Sequence, residues 1–423
     1  MTDDRRIEHV TCLGCGCGCD DLTVLVSNGR IAEVTPSCPI GRAWFGDGQV
    51  PTRIQINGRS VSLDQALGRL AEVLVSARGR CLVYIGANLT SQAQRLAVGI
   101  ADLLNAAVDT DTSDTAAQGI LTAQRRGRAG ATLGEIRNRG DVFLFWGVDP
   151  RERYPRFLSR YSLDPVGTHV PEGRKGRFVI GVSIGADKAL APVDTSIELT
   201  PDQEIAALSL MRAAVLGRPP ATDSPLKAWV TQVAERLVRA RYAVVVHDAE
   251  PTAEQRNPLR TEALSALAQA LNGPTRAALC SLRAGGNRVG AESVLTWQTG
   301  YPFAVDYTRD FPRYRPEWRG TAALGSGRYT AALVVGSPPD SYASLAGFSR
   351  VRAAVIGPRA SEAVRPPVVA VDTGVAGIHE EGTGYRMDEV PLPLRQCLPG
   401  PHSTSAVLGS LAEAIGQRLM RNG

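Results

Sequence analysis

The sequence predicts an α/β protein: a small β-rich cysteine module at the N-terminus followed by two doubly wound α/β domains. Three observations predict it. The chain has 423 residues, too many for one ordinary core. Near-continuous apolar runs, the mark of strands buried on both faces, alternate with segments of helical period. Five of the eight cysteines fall between Cys12 and Cys38, so the N-terminus follows rules of its own.

From about Glu8 to Val50, short strands alternate with turns. Asp21–Val26 alternates polar and apolar, Asn28-Gly29 is a hairpin turn, and Arg30–Val34 returns. Cys19 precedes this hairpin and Cys38 follows it. A hairpin brings its ends together, so Cys38 can close a site begun by Cys12, Cys15 and Cys19. Pro39 then stops regular extension. Ser62 is a candidate N-cap for a helix whose apolar positions are Ala66, Leu67, Leu70, Val73 and Leu74. Cys81–Gly86 reads as a buried strand, with a helix following near Gln92 to Asn105. Asp141–Gly147 and Phe178–Val182 are further apolar strands, and Pro201-Asp202 starts a helix carrying Leu208 to Leu216. Ala243–Val246, Ala331–Gly336 and Ala353–Gly357 complete the strand set. The expected organisation is a cysteine module over 1–55, a discontinuous α/β domain from 56–112 and 305–400, a second, Rossmann-like α/β domain over 113–304, and a C-terminal helix over 401–423.

Bulk properties exclude several function classes. Forty-seven basic and 42 acidic residues leave a net charge of only +5, and aromatics are 5%, too few for base-stacking platforms. Arg125-Arg126-Gly127-Arg128 has no nucleic-acid motif beside it and reads as a solvated face or subunit contact. No run reaches the length of a membrane span, and Met1 to Cys12 is charged, unlike a signal peptide. A cytoplasmic protein with reduced thiols is expected. Cys81, Cys280 and Cys397 are scattered and read as plain core or surface residues.

Cys12, Cys15, Cys19 and Cys38 have the spacing C-x2-C-x3-C-x18-C, with Cys17 a fifth candidate. Four thiolates with glycines between them suit an iron–sulfur cluster or a structural zinc, against a disulfide pair or loose thiols. Gly86, Gly147 and Gly336 sit at strand ends, where open parallel sheets bind ligands. No G-x-G-x-x-G follows a strand and no Walker, H-E-x-x-H or G-x-S-x-G sequence occurs. His9, His169, His247, His379 and His402 are dispersed. Asp109–Thr115 reads as a loop of side-chain-to-backbone hydrogen bonds, and Gly377–Asp388 suits a ligand or partner surface.

Several segments together resemble one family. They are the cysteine module, Trp146–Pro150 with Pro155-Arg156 and Ser159-Arg160, Thr296–Asp306, and Glu381–Asp388. These resemble the B subunit of formylmethanofuran dehydrogenase, of the molybdopterin oxidoreductase superfamily. The resemblance implies a molybdopterin-oxidoreductase-like fold, a four-iron four-sulfur cluster on Cys12, Cys15, Cys19 and Cys38, and a tungsten or molybdenum bis-pterin site that reduces carbon dioxide to formate. Two departures stand out. Thr115 and Ala116 fall where the family has the metal-ligating cysteine or selenocysteine and a histidine. Ser183-Ile184-Gly185 falls where it has an Asp-Pro-Arg loop gripping the pterin nucleotide. A hydroxyl does not replace a soft thiolate, and Ser-Ile-Gly offers no bidentate ionic contact.

This degenerate pattern is similar to the B subunit of the bacterial formyltransferase/hydrolase complex. That complex converts formyl-tetrahydromethanopterin to formate via methylofuran in the formaldehyde oxidation of methylotrophs. By resemblance, zinc hydrolase chemistry lies in its A subunit and transferase chemistry in D. The implied role here is a catalytically silent structural subunit, with A, C and D subunits as partners in a hetero-oligomer. No nucleic acid, membrane, tungsto- or molybdopterin is expected. The alternative is a redox-active formylmethanofuran dehydrogenase B subunit with a tungsten or molybdenum pterin.

Overall fold

A computed structural model describes residues 4–218, 224–250, 257–338, 346–363 and 365–422. Met1–Asp3 of the expected module and Gly423 of the expected C-terminal helix lie outside the described residues. The chain divides into two compact units, Met1–Asp114 with Ala284–Gly423, and Thr115–Arg283.

The first unit begins with a three-stranded antiparallel sheet, Arg5–Val10, Leu22–Ser27 and Arg30–Thr35. Only one face is apolar, with Leu22, Val24 and Val26 buried in alternation. The helix Pro39–Phe45 follows, capped by Cys38 and opened by a proline that has no N–H to leave unsatisfied. The main sheet has nine strands. Its centre is parallel, in the order Ala107–Thr110, Cys81–Ile85, Ala331–Val335, Arg352–Gly357, Val369–Asp372. Short antiparallel strands finish both edges.

Both faces of this sheet are covered, which explains the unbroken apolar runs. Cys81, Val83 and Ile85 point into a core shared with Leu70, Ile100, Leu408 and Ile415. Leu82 and Tyr84 point to the other side, with Val334, Phe348 and Val355. The first core is closed by the helices Leu63–Ser76, Ser91–Leu103 and Thr404–Asn422. Ser62 caps the first of these in a reciprocal box: the Gln65 N–H donates to its hydroxyl at 3.3 Å, and its own N–H donates to the Gln65 side chain at 3.0 Å.

The second unit holds five parallel strands in the order Thr195–Leu199, Phe178–Ile184, Val142–Trp146, Ala243–Asp248, Ala277–Leu282. Numbered along the chain this is 3-2-1-4-5, the doubly wound order, with its switch point between Val142–Trp146 and Ala243–Asp248. Helices Glu204–Val215, Lys227–Val238 and Arg260–Leu271 bury Leu208, Met211, Val230 and Leu264 against it. Residues 284–304, placed by sequence with this unit, pack in the first, where the helix Arg288–Thr299 lies on Ser91–Leu103.

Asp109–Thr115 is not a loop: Ala107–Thr110 is an interior strand of the main sheet and Asp111–Thr115 is one helical turn. A strand ending in Asp109 and Thr110 does not look like a strand from sequence, because its polar groups are satisfied by distant backbone. Among the described residues no helix is long and apolar enough to cross a membrane.

Candidate metal centre and the expected cofactor positions

Cys12, Cys15, Cys17 and Cys19 sit in a tight loop between the first two strands, and Cys38 follows the third. The Cys12 N–H donates to the Cys19 carbonyl at 2.8 Å, and Gly18 turns the chain with φ +48. Backbone clamps fix the loop: Gly286 N–H to the Leu13 carbonyl, 2.7 Å, and Met387 N–H to the Gly16 carbonyl, 3.0 Å. Gly285 is required for this approach, since a Cβ there would lie 2.1 Å from the Leu13 oxygen.

Two backbone N–H groups point at sulfur, Gly14 to Cys12 Sγ at 3.4 Å and Gly41 to Cys38 Sγ at 3.3 Å. Such bonds stabilise thiolate over thiol. A Cβ built on Gly41 would lie 3.6 Å from Cys12 Sγ and 3.7 Å from Cys38 Sγ, so the hairpin does bring those two sulfurs to one place. Burial pushes the Cys12 thiol up beyond its ordinary range. The Gly14 N–H opposes this, and Cys15, Cys19 and Cys38 push it further by charge. Cys17 is fully buried beside them. Among the described residues no cysteine is joined in a disulfide. Among the same residues no three His, Cys, Asp or Glu side chains are drawn together as a metal site, so the four sulfurs are grouped but not clamped on a common point. Their number, softness and aimed N–H groups suit thiolate ligation, while the sulfurs are not converged on one point. Binding a metal would offset the cost of burying neighbouring thiolates.

Thr115 ends the helical turn and Ala116, buried, follows it. The preceding carboxylates are committed to the fold. Asp109 accepts N–H groups from Thr110 (2.8 Å), Ala304 (3.0 Å) and Gly320 (2.6 Å) as well as the Ser113 hydroxyl. Burial pushes its carboxyl up to about 6 against those hydrogen bonds. The Tyr84 hydroxyl lies 2.9 Å from Asp111 and 2.6 Å from Asp114, while Arg288 holds Asp111 at 3.1 Å.

At the carboxyl ends of the second unit's sheet, Ser183-Ile184-Gly185 is spent locally. The Ser183 hydroxyl accepts the Ala189 N–H at 3.1 Å, and the Gly185 N–H donates to Leu199 at 3.0 Å. Beside it, Arg260 donates to both Glu204 and Asp187, and Trp146 Nε1 donates to Glu204 at 2.8 Å. These side chains are only 4%, 1% and 7% exposed for Arg260, Glu204 and Asp187, so they are a buried cluster. Gly147, at φ +57, makes room for them: a Cβ there would lie 3.0 Å from Ile184 and 3.3 Å from the Arg260 guanidinium. Asp248, at the switch point, pairs with Arg153 and accepts the Tyr154 hydroxyl at 3.1 Å. An anionic pterin nucleotide seated here would face buried carboxylates whose cations are already bonded. Arg260, buried and bonded to two carboxylates, does not supply the bidentate contact that such a nucleotide needs. Sequence reading missed this cluster, because its members stand 56 and 58 residues apart with no local signature.

The histidines are not drawn into a site. His379 is a structural bridge: Nε2 lies 2.7 Å from the Gly48 carbonyl and Nδ1 accepts the Val375 N–H at 3.1 Å. His247 Nε2 lies 2.8 Å from the Ser281 hydroxyl. Gly377–Asp388, read as suiting a ligand or partner surface, turns polar groups inward. Glu380 accepts the Thr404 N–H at 2.8 Å and the Ser405 N–H at 3.2 Å, and Arg386 grips Asp388 twice at 2.7 Å.

No family model matches the chain. It is 28% identical over 413 residues to the B subunit of tungsten-containing formylmethanofuran dehydrogenase 2 of Methanocaldococcus jannaschii, covering 94% of this chain and 95% of that protein. The chain resembles the formylmethanofuran dehydrogenase B subunit over nearly its whole length. The corresponding protein of Methanococcus maripaludis is 27% identical over 411 residues, with 93% and 94% covered. The B subunit of the Fhc formyltransferase/hydrolase complex of Methylorubrum extorquens is 25% identical over 296 residues, with 67% of this chain and 74% of that protein covered. A chain in the crystal structure of the formyltransferase/hydrolase complex FhcABCD from that organism, in complex with methylofuran, superposes with TM-score 0.73 at 20% identity, over 87% of this chain and 99% of that one. This likeness shows the fold, a mixed α/β architecture with several sheets.

Proposed function

We propose that the chain is a catalytically silent structural subunit of a formyltransferase/hydrolase complex. That complex would convert formyl-tetrahydromethanopterin to formate via methylofuran in one-carbon metabolism. The observation that carries this reading is the buried Trp146–Glu204–Arg260–Asp187 cluster at the carboxyl ends of the second unit's sheet, with Asp248 held at the switch point. Carboxylates there are hostile to an anionic cofactor. Thr115 and Ala116, in place of a soft ligand and an imidazole, support it further. The fold is then molybdopterin-oxidoreductase-like in ancestry, and A, C and D subunits are the partners in a cytoplasmic hetero-oligomer. Cys12, Cys15, Cys19 and Cys38, with Cys17 adjoining, would hold a four-iron four-sulfur cluster or a zinc ion that cross-links the module.

One observation favours a second reading, a redox-active formylmethanofuran dehydrogenase B subunit. The tungsten-containing relatives match at 28% and 27% identity over more than nine-tenths of the chain, against 25% over 67% for the Fhc protein. Purification with whatever partners accompany the chain, then elemental analysis for tungsten, molybdenum, iron and zinc and a fluorescence assay for released pterin, separates the two. The silent reading expects no pterin and no tungsten or molybdenum. Pterin in stoichiometric amount overturns it.

A further inference from the structure

The second unit carries a groove of about 480 Å³ against the helices Glu204–Val215 and Arg260–Leu271. Buried Leu208 and Ala266 belong to its lining, and Leu216 and Leu259 on it are 48% and 55% exposed. Among the described residues Leu103, Val166, Trp297, Phe311 and Met420 are exposed too, but Leu216 and Leu259 share one groove, and that pairing is a feature to be explained.

The charges around it are one-sided. Among the described residues Arg126, Arg212 and Arg218 line it with a single acid, Glu262, a formal charge of three minus one. Glu262 is already spent: Arg126 donates to it at 3.1 Å and Arg125 at 2.8 Å, and these bonds hold its carboxyl below the ordinary range. Among the described residues neither Arg212 nor Arg218 makes an ion pair. The basic character continues past Arg126 into a neighbouring groove lined by Arg128 and Arg276, with Glu135 its only acid among the described residues.

We propose that this groove docks a helical segment of a partner polypeptide that presents leucine-like side chains flanked by aspartate or glutamate. A furrow with an apolar floor between two helices accepts the apolar stripe of a third. The partner's carboxylates meet guanidinium forks at the rim, whose aliphatic stems extend the apolar surface. Among the described residues no aromatic side chain lines this groove, so a nucleic acid finds no stacking platform there. A small anion satisfies the arginines and leaves the leucines in water. The inference stands whichever reading of the cofactor crevice holds.

The test uses the intact chain and a labelled synthetic amphipathic helix of about 16 residues, with leucines on one face and glutamates flanking them. Its comparators are the same peptide with lysine for every glutamate and a single-stranded DNA of equal length. Fluorescence anisotropy is expected to show saturable binding of the glutamate peptide, weakening several-fold between about 50 and 300 mM salt. The Arg212→Glu/Arg218→Glu variant is expected to bind about tenfold more weakly and Leu259→Ser also more weakly, with Arg239→Glu unchanged. All three change exposed side chains, and thermal melts check folding. No saturable binding, equal binding of the lysine peptide, preference for DNA, or indifference to both groove variants overturns the proposal. A photo-crosslinker at Leu216 in the assembled complex provides a second measurement: a crosslink to an acidic helical segment supports it, and a basic segment or none counts against it.

Discussion

Arg260 shows most directly how single residues decide this protein. Its guanidinium, 4% exposed, bonds to two carboxylates from different elements, and one of them also receives the Trp146 N–H. Removing it takes the guanidinium away from two buried carboxylates, Glu204 and Asp187. Arg260→Met is expected to cost about 3 to 5 kcal/mol of stability, read from urea denaturation, and more than the Arg151→Met change at an exposed pair. Asp109 gives a pH dependence. Its carboxyl rises from 3.8 to about 6 on folding, so the folded state binds that proton more tightly than the unfolded state does. Its contribution is therefore fully present below about pH 4, is lost as pH rises through about 6, and is flat above; the span is roughly 3 kcal/mol at most. Asp114, Asp306 and Tyr329 share its surroundings, so the measurement is a difference. Asp109→Asn is expected to abolish that part of the slope of urea midpoint against pH between about 4 and 6. None of this was legible locally. Asp109 looked like a turn residue because Asp, Thr and Ser favour turns, and only the N–H groups of Ala304 and Gly320 make it a strand end.

Among the secondary-structure elements, helix ends and loop clamps join segments far apart in sequence. The C-terminal helix Thr404–Asn422 starts on the Glu380 carboxylate, which satisfies two of its first N–H groups and sits at the positive end of its dipole. Glu380→Ala is expected to cost about 1 to 2 kcal/mol and to raise amide exchange at Thr404 to Ala406 while leaving the Leu63–Ser76 helix protected. The Ser62 cap was legible because the serine and its glutamine partner stand close together in sequence. The Glu380 cap was not, because its donor lies 24 residues on. The cysteine hairpin was legible for the same reason as the Ser62 cap. An Asn-Gly turn between alternating strands states its own closure, which carries Cys38 back toward Cys12.

For the whole molecule, the questions are which groups the chain holds and which chains it meets. Four grouped thiols are expected to take up a soft metal. Reconstitution of the thiol-reduced chain with zinc, or with iron and sulfide, should give about one centre per chain. Zinc leaves the protein colourless and a cluster turns it brown, and Cys12→Ser should lose the centre in either case. Chelation is expected to lower the melting temperature, since metal binding to the folded module is folding free energy.

By itself the sequence determined the class of fold and the place of the cysteine module. Both rest on short-range regularities, apolar period, turn chemistry and cysteine spacing, that each segment carries alone. It also carried the resemblance to the formylmethanofuran dehydrogenase B subunit. Only the tertiary structure decided what fills the carboxyl ends of the second sheet, that Gly377–Asp388 turns inward, and that a basic groove with bare leucines lies outside. Those outcomes depend on charges and hydrogen-bond partners brought together from distant parts of the chain. Burial fixes their energies, and burial is a property of the folded state.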